Sequence, residues 1–346
     1  MTTDHLFRTA SSVLLVKPRA IGDVLLSTPV IGALRQAFPH LHVDFLTETF
    51  AADVVRGNPD VREVLTFHKK NDSTLSVIRR VRQRRYDIVI DLFGNPRTAL
   101  ITRWSGARHR IGFPFRGRAY AYQYRVPPRG GEVHNVDFNL DVLRHFGVPV
   151  NEPQPFFPVG EEEHRTAEAW FRSASVPSNV VALNPGGGWY TKRWKRESYA
   201  ALADRIITES GRPVLFFWGP GEKEEVEAIR ARMTQSSRII PSTTLKEMGA
   251  FLSRCSAMVS NDSGPMHIAA ALGVPTLGIY GPTVPRLQGP YGPKNRWVRN
   301  EEIDCLECNL TACPIGNICM SGLTVDRVYS AFQSLVQQED HGETRR

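Results

Sequence analysis

Residues 261–275 read NDSGPMHIAAALGVP, and their pattern decides the class of fold. A short apolar run at 257–260 stops at Asn-Asp-Ser-Gly-Pro, and small apolar residues follow from Met266 to Leu272. This is a strand that turns directly into a helix. Ser263 or Asp262 suits the N-cap, and Pro265 suits the first turn, where a missing N–H costs nothing. Unpaired N–H groups and the positive end of the helix dipole gather at such a turn, which prepares it for a phosphate. Gly264 lets a ligand approach the backbone, and His267 follows one turn in. Turns of this composition occur throughout α/β proteins, so a phosphate role needs support from elsewhere in the chain.

The same alternation extends upstream. Apolar runs at 13–16, 42–46, 63–67 and 87–92 read as strands, with helical periodicity at 22–38, 50–56, 73–84 and 133–146. The Gly-, Arg- and Tyr-rich region between 93 and 128 reads as long loops with short elements. Residues 147–160, GVPVNEPQPFFPVG, have no periodicity and read as a linker. Beyond it come strands at 180–183, 213–217, 239–240, 257–260 and 276–280. Helices are expected at 161–174, 196–209, 222–233, 245–254, 266–272 and 324–337. Repeated β-α units imply parallel sheets covered on both faces. The expected architecture is α/β, with two Rossmann-like domains, residues 1–155 and 156–346, facing across a cleft. Residues 1–10 and 339–346 are expected to be loose tails.

The chain has 346 residues, of which 41% are hydrophobic and 23% charged, ordinary values for a globular protein with two cores. No apolar run approaches a membrane span, and the start lacks a signal-peptide layout, so a cytoplasmic protein is expected. The net charge of +8 falls entirely in residues 1–155, which carry 22 Lys and Arg against 14 Asp and Glu. Between residues 79 and 129 stand 13 arginines and two acids, Asp87 and Asp91. Those of 79–85 suit a solvated helix face. Arg97, Arg103, Arg108, Arg110, Arg116 and Arg118 lie among loops and glycines, which points to an anionic partner. No nucleic-acid-binding module accompanies them.

Ligands of open α/β sheets bind outside the carboxyl ends of the strands. The loops that matter therefore follow Lys17, Asn184, Trp218, Ser260 and Tyr280. KPRAIGD, at 17–23, has neither the dinucleotide three-glycine spacing nor a Walker Gly-Lys-Ser/Thr. It offers Asp23 at a helix start, either as a dipole partner or as an exposed carboxylate able to take a proton. NPGGGWYTKRW, at 184–194, combines close backbone approach at Gly187 and its neighbours with the mobile charge of Lys192. Glu222, in WGPGE, suits either sugar hydroxyls or the helix that follows. YGPT at 280–283 is placed to shape the same pocket.

Cys305, Cys308, Cys313 and Cys319 cluster with the spacing C-x2-C-x4-C-x5-C, while Cys255 stands apart. A small metal knuckle holding structural zinc or iron is one reading, and reduced thiols packing the C-terminal segment is the other.

Taken in order, these stretches resemble glycosyltransferase family 9, the ADP-heptose:lipopolysaccharide heptosyltransferases. The likeness covers nearly the whole chain. It runs from VLLVKPRAIGDVLLSTPVIGALRQAFP through NPGGGWYTKRWKRESYAALA, FFWGPGEKEE and NDSGPMHIAAALGVPTLGIYGPT to the type II-like tail CLECNLTACPIGNICM. The resemblance implies a GT-B fold and an ADP-heptose donor held mainly by the C-terminal domain. It also implies inversion at the anomeric carbon without an obligatory metal cofactor. It assigns Asp23 as general base and Lys192 to the diphosphate. Asp262, Ser263, Gly264 and His267 surround diphosphate and heptose, and Glu222 matches the ribose-binding acid less securely. The implied acceptor is an anionic Kdo- or heptose-bearing lipopolysaccharide precursor, which Arg97, Arg116 and Arg118 are placed to meet. The protein would then make peripheral contact with the inner membrane and take no nucleic acid. Alternatives are a same-fold transferase using another sugar or a protein acceptor, and a non-catalytic sugar-nucleotide-binding protein.

Overall fold

The computed structural model describes residues 4–343, with side chains described through residue 337. The chain forms two compact units, Met1–Pro158 and Val159–Arg346. No helix among the described residues is long and apolar enough to cross a membrane.

In the first unit the strands are β1 (Ser12–Val16), β2 (His42–Glu48), β3 (Glu63–Phe67), β4 (Ile88–Asp91), β5 (His109–Gly112) and β6 (Tyr124–Arg125). They form one parallel sheet in the order β3-β2-β1-β4-β5-β6. In the second unit they are β7 (Val181–Asn184), β8 (Val214–Phe216), β9 (Arg238–Ile239), β10 (Ala257–Asn261), β11 (Thr276–Tyr280) and β12 (Arg296–Arg299). These again lie parallel, in the order β12-β11-β10-β7-β8-β9. Each is the doubly wound Rossmann order, and two such units in one chain are the GT-B plan. The parallel arrangement explains the composition of the central strands. VLLV of β1, IVID of β4 and VALN of β7 are buried on both faces, so their apolar residues run without alternation. Leu14, Val16, Leu46, Val89 and Ile101 form part of the first core. Truncation of a residue such as Leu14 to Ala costs about 2–5 kcal/mol.

The order of each sheet reverses once, between β1 and β4 and between β7 and β10. At those switch points Val16 pairs with Asp91, and Asn184 with Ser260. The loops that follow β1, β4, β7 and β10 therefore emerge side by side at a switch point, where such folds bind ligands.

Local expectations fail in several places; for one, the edge strand β12 matches no expected element. The helix expected at 22–38 is two, Ile21–Leu25 and Pro29–Ala37. Pro29 cannot continue the first, and the Ser27 and Thr28 hydroxyls donate back to the Val24 and Leu25 carbonyls at 2.7 and 2.8 Å. The region read as long loops with short elements, 93–128, has the expected short strands but also a nine-residue helix, Pro96–Trp104. Asn95 caps that helix through Thr98 N–H at 2.7 Å. The segment expected as a loose N-terminal tail contains the helix His5–Thr9. Its Phe7 is buried and stacks on Phe38 with ring centroids 5.4 Å apart. At the other end the last helix, Val325–Glu343, runs past the point where a loose tail was expected. Residues 1–3 and 344–346 lie outside the described residues.

Candidate functional site

The polar residue that ends each switch-point strand of the second unit is buried and bonded across the sheet. Asn184 Nδ2 lies 3.1 Å from Ser260 Oγ and 3.1 Å from Ser263 Oγ. Asn261 Nδ2 donates to the Pro185 carbonyl at 2.7 Å, and its Oδ1 lies 3.1 Å from the buried Tyr199 hydroxyl. The ends of β7 and β10 are thus tied together, and both loops leave from a fixed floor.

Ser263 is the N-cap residue of the helix Gly264–Ala271 by position, but its side chain caps nothing. Its hydroxyl faces Ser260 at 3.0 Å and Asn184 instead. Asp262 does not cap the helix either, since its Oδ2 receives the Lys192 ammonium at 2.7 Å and the Thr283 hydroxyl at 2.8 Å. This corrects the capping role expected of either residue. It also leaves the first-turn N–H groups without a side-chain cap, which is the state an anion-binding helix start requires. Gly264 opens that turn, Pro265 is its second residue, and His267 is buried on it. Lys192 comes from the short 3₁₀ turn Tyr190–Lys192, with its Nζ 4.5 Å from the centre of the Trp189 ring. An ammonium and a helix N-terminus, both positive, therefore meet around one buried carboxylate.

Glu222 braces the glycine loop. Its Oε1 accepts from Gly187 N–H at 3.1 Å and its Oε2 from Gly219 N–H at 2.9 Å. A β-carbon on Gly186 would stand 2.2 Å from Glu222 Oε2, so any larger residue there has to displace the Glu222 carboxylate. The nearby Arg193 donates to the Gly187 carbonyl at 3.0 Å.

In the first unit Asp23 is the third residue of the helix Ile21–Leu25, partly exposed, and its Oδ2 accepts from Ala20 N–H at 3.0 Å. Beneath the same loop lies a polar cluster. The buried Lys17 ammonium donates to the Leu92 carbonyl at 2.9 Å and to Asn139 Oδ1 at 3.2 Å. Burial pulls its pKa below the ordinary lysine value, against the opposing fields of Asp23 and Asp91. Asp91, fully buried, accepts from the Tyr122 hydroxyl at 2.7 Å and from the N–H groups of Phe93 and Gly94. Its pKa is raised because desolvation outweighs those bonds. Sequence reasoning passed over Lys17, Asp91, Asn184 and Asn261 as site residues. Their common signal is a polar side chain at or just beyond the end of an apolar switch-point strand.

The arginines proposed for an anionic acceptor differ in their engagement. Arg97 donates to the Lys69 carbonyl at 3.0 Å and the Asp72 carbonyl at 2.5 Å, and it stacks 4.6 Å from the centre of the Phe67 ring. Arg118 donates to the Phe115 carbonyl at 2.9 Å. Arg116 is exposed, with a left-handed backbone at φ 41°.

The cysteines are free thiols. Cys319 is buried, and its pKa is raised first by that burial and further by the charges of the other three cysteines of the cluster. Among the described residues, however, no three His, Cys, Asp or Glu side chains converge on a point that would hold a metal ion. The thiols instead bond their own segment, where Asn317 N–H donates to Cys313 Sγ at 3.3 Å.

Two doubly wound sheets define a two-domain α/β protein, and the lysine and uncapped helix start at its second switch point have the chemistry that suits a phosphorylated ligand. The profile of glycosyltransferase family 9 (heptosyltransferase) matches residues 74–319. The chain belongs to that family and is an enzyme, a glycosyltransferase. It is 29% identical over 319 residues to lipopolysaccharide heptosyltransferase 1 of Pseudomonas aeruginosa, a match covering 87% of each chain. Its structure is similar to a family 9 glycosyl transferase from Veillonella parvula, with a TM-score of 0.84 and 24% identity over 98% of this chain and 99% of that one. It is also similar to the E. coli heptosyltransferase WaaC solved with ADP. There the TM-score is 0.72 and the identity 20%, over 94% and 98% of the two chains.

Proposed function

We propose that this enzyme transfers heptose from ADP-heptose to an anionic inner-core precursor of lipopolysaccharide, with inversion at the anomeric carbon. The observation that carries the reading is the Lys192–Asp262 ion pair, 2.7 Å long, at the uncapped start of the helix Gly264–Ala271. The relative named for lipopolysaccharide and the neighbour solved with ADP support the choice of acceptor and nucleotide.

In this reading the ADP diphosphate takes the helix start, and Lys192 shares its ammonium between Asp262 and the phosphates. Charge that develops on the departing ADP is met by donors already in place. Ser263, Gly264 and His267 line the diphosphate and heptose. Gly187 keeps the backbone low enough for the nucleotide. Each Glu222 oxygen retains a second lone pair, so the carboxylate braces the loop and also accepts from ribose hydroxyls. On the acceptor side Asp23 takes the proton from the attacking sugar hydroxyl. Arg116, the exposed member of its group, meets acceptor phosphate first, with Arg97 and Arg118 behind it. The reaction takes place at the cytoplasmic face of the inner membrane, in peripheral contact with it.

The test is incubation of ADP-heptose with Kdo-bearing lipid A, with mass spectrometry for heptose addition and NMR for the anomer. One heptose in the configuration opposite to the donor's is expected. A retained configuration would remove the direct-displacement role of Asp23, and heptose on protein but not on lipid A would redirect the acceptor.

A further inference from the structure

The cysteine-bearing segment touches the proposed donor site at both of its loops. Thr191, fully buried, donates its hydroxyl to the Leu310 carbonyl at 2.8 Å. Asn309 N–H donates to the Pro282 carbonyl at 2.8 Å. Thr191 precedes Lys192, and Pro282 precedes Thr283, whose hydroxyl holds Asp262. The contacts close a ring. It runs from Lys192 to Asp262, to Thr283, through Pro282 to Asn309, along the chain to Leu310, and back through Thr191 to Lys192. Beneath it, Gly281 leaves room for the segment, because a β-carbon there would stand 2.5 Å from Met320 Sδ and 2.9 Å from Cys319 Sγ. Residues 303–317 have no regular secondary structure. Besides the two bonds of the ring, Arg299 holds the segment through Glu307 at 2.9 Å, and Ile303, Leu306 and Cys319 pack on the core of the second unit. A change within the segment reaches Lys192 through Thr191, and Asp262 through Pro282 and Thr283.

We propose that residues 305–319 are a strap that sets the spacing of Lys192 and Asp262, and that covalent modification of its accessible thiols weakens donor binding. The inference rests on the donor-site reading above. Cys308 is exposed and Cys305 and Cys313 are half-buried, so these three are the ones a reagent reaches. Burial disfavours the Cys319 thiolate and makes it the slowest of the four. Thr191 and the strap residues are positioning residues in this account.

The experiment uses the full chain and ADP as probe, with affinity from calorimetry. Thr191→Val should weaken ADP binding about three- to ten-fold, the range spanned by one net hydrogen bond. Thr191→Ser should restore it. The KM for the donor should rise while kcat at saturating donor stays within about two-fold, since the strap places a binding group and no reacting one. In the unmodified protein N-ethylmaleimide should alkylate Cys308 first. The thiolate sulfur adds across the maleimide double bond and the neighbouring carbon takes a proton, so nothing is oxidised. ADP should slow that reaction several-fold, because coupling between two sites is reciprocal. Cys255, buried in the core, should stay unmodified and so exclude unfolding. Unchanged ADP affinity in Thr191→Val together with no protection by ADP overturns the strap. If Lys192→Met still weakens ADP binding about ten- to hundred-fold in that case, the donor site stands without it. If the unaltered protein does not bind ADP, or Lys192→Met leaves binding intact, the donor-site reading falls and the strap falls with it.

Discussion

Lys192 has two tasks in this account, and they can be separated. Before the donor binds, its ammonium neutralises Asp262 in a site where the two side chains are 15% and 6% exposed. Lys192→Met keeps the length of the side chain and removes the charge. Breaking a buried pair from one side costs about 3–5 kcal/mol, because the other charge stays buried and uncompensated. Thr283 still donates to Asp262 and the lysine is slightly open to solvent, which argues for the lower end, about 3 kcal/mol. For a unit of this size each kcal/mol lowers the melting temperature by about 2–4 °C, so a fall of about 6–12 °C is expected. Adding Asp262→Asn removes the stranded carboxylate and should return most of that loss. ADP affinity should behave differently. A charge-assisted bond to phosphate is worth about 1.5–3 kcal/mol, so Lys192→Met should weaken ADP about ten- to hundred-fold, and the double variant should not recover it. Scanning calorimetry and titration calorimetry on the two variants read the two tasks. A double variant no more stable than Lys192→Met refutes the electrostatic argument, and an unchanged ADP affinity refutes the assignment of Lys192 to the donor.

Asp23→Asn should lower turnover about 10²- to 10⁴-fold while ADP affinity stays within about two-fold; equal turnover would remove Asp23 as the base. Asp91 holds its proton in the native state to a higher pH than the ordinary carboxyl value of 3.8. Its stabilising effect is therefore complete below that value and is lost as pH rises through the native one. Urea unfolding between about pH 4 and 7 should show the natural protein losing stability relative to Asp91→Asn, and parallel curves would contradict this. Gly186→Ala should push Glu222 off Gly187 and Gly219, destabilise the chain by about 1–3 kcal/mol and raise the donor KM; a neutral substitution would mean that the loop yields freely.

The strand ends and the turn at 261–275 were legible because fully buried parallel strands leave unbroken apolar runs that stop at Gly, Pro or Asn. The helix Pro96–Trp104 was not, because arginine, threonine and tryptophan blur its apolar stripe and only its Asn-Pro start marks it. The break at 26–28 is masked because apolar periodicity continues through it, and Pro29 is its one local mark. Other features need the third dimension. Glu222 reaches back 35 residues to Gly187, and Leu310 reaches 119 residues to Thr191, distances over which local pattern carries no information. The cysteine spacing carries a ligand count without a geometry. Asp262 and Ser263 were rightly placed at the turn, while the partners that draw them away from capping come from 192, 283 and 184.

A crystal structure of the enzyme with ADP is the most direct test. The diphosphate is expected at the start of the helix Gly264–Ala271, within hydrogen-bonding distance of Lys192 Nζ and first-turn N–H groups. ADP bound on another face, with Lys192 still closed on Asp262 and the helix start solvated, would contradict that placement.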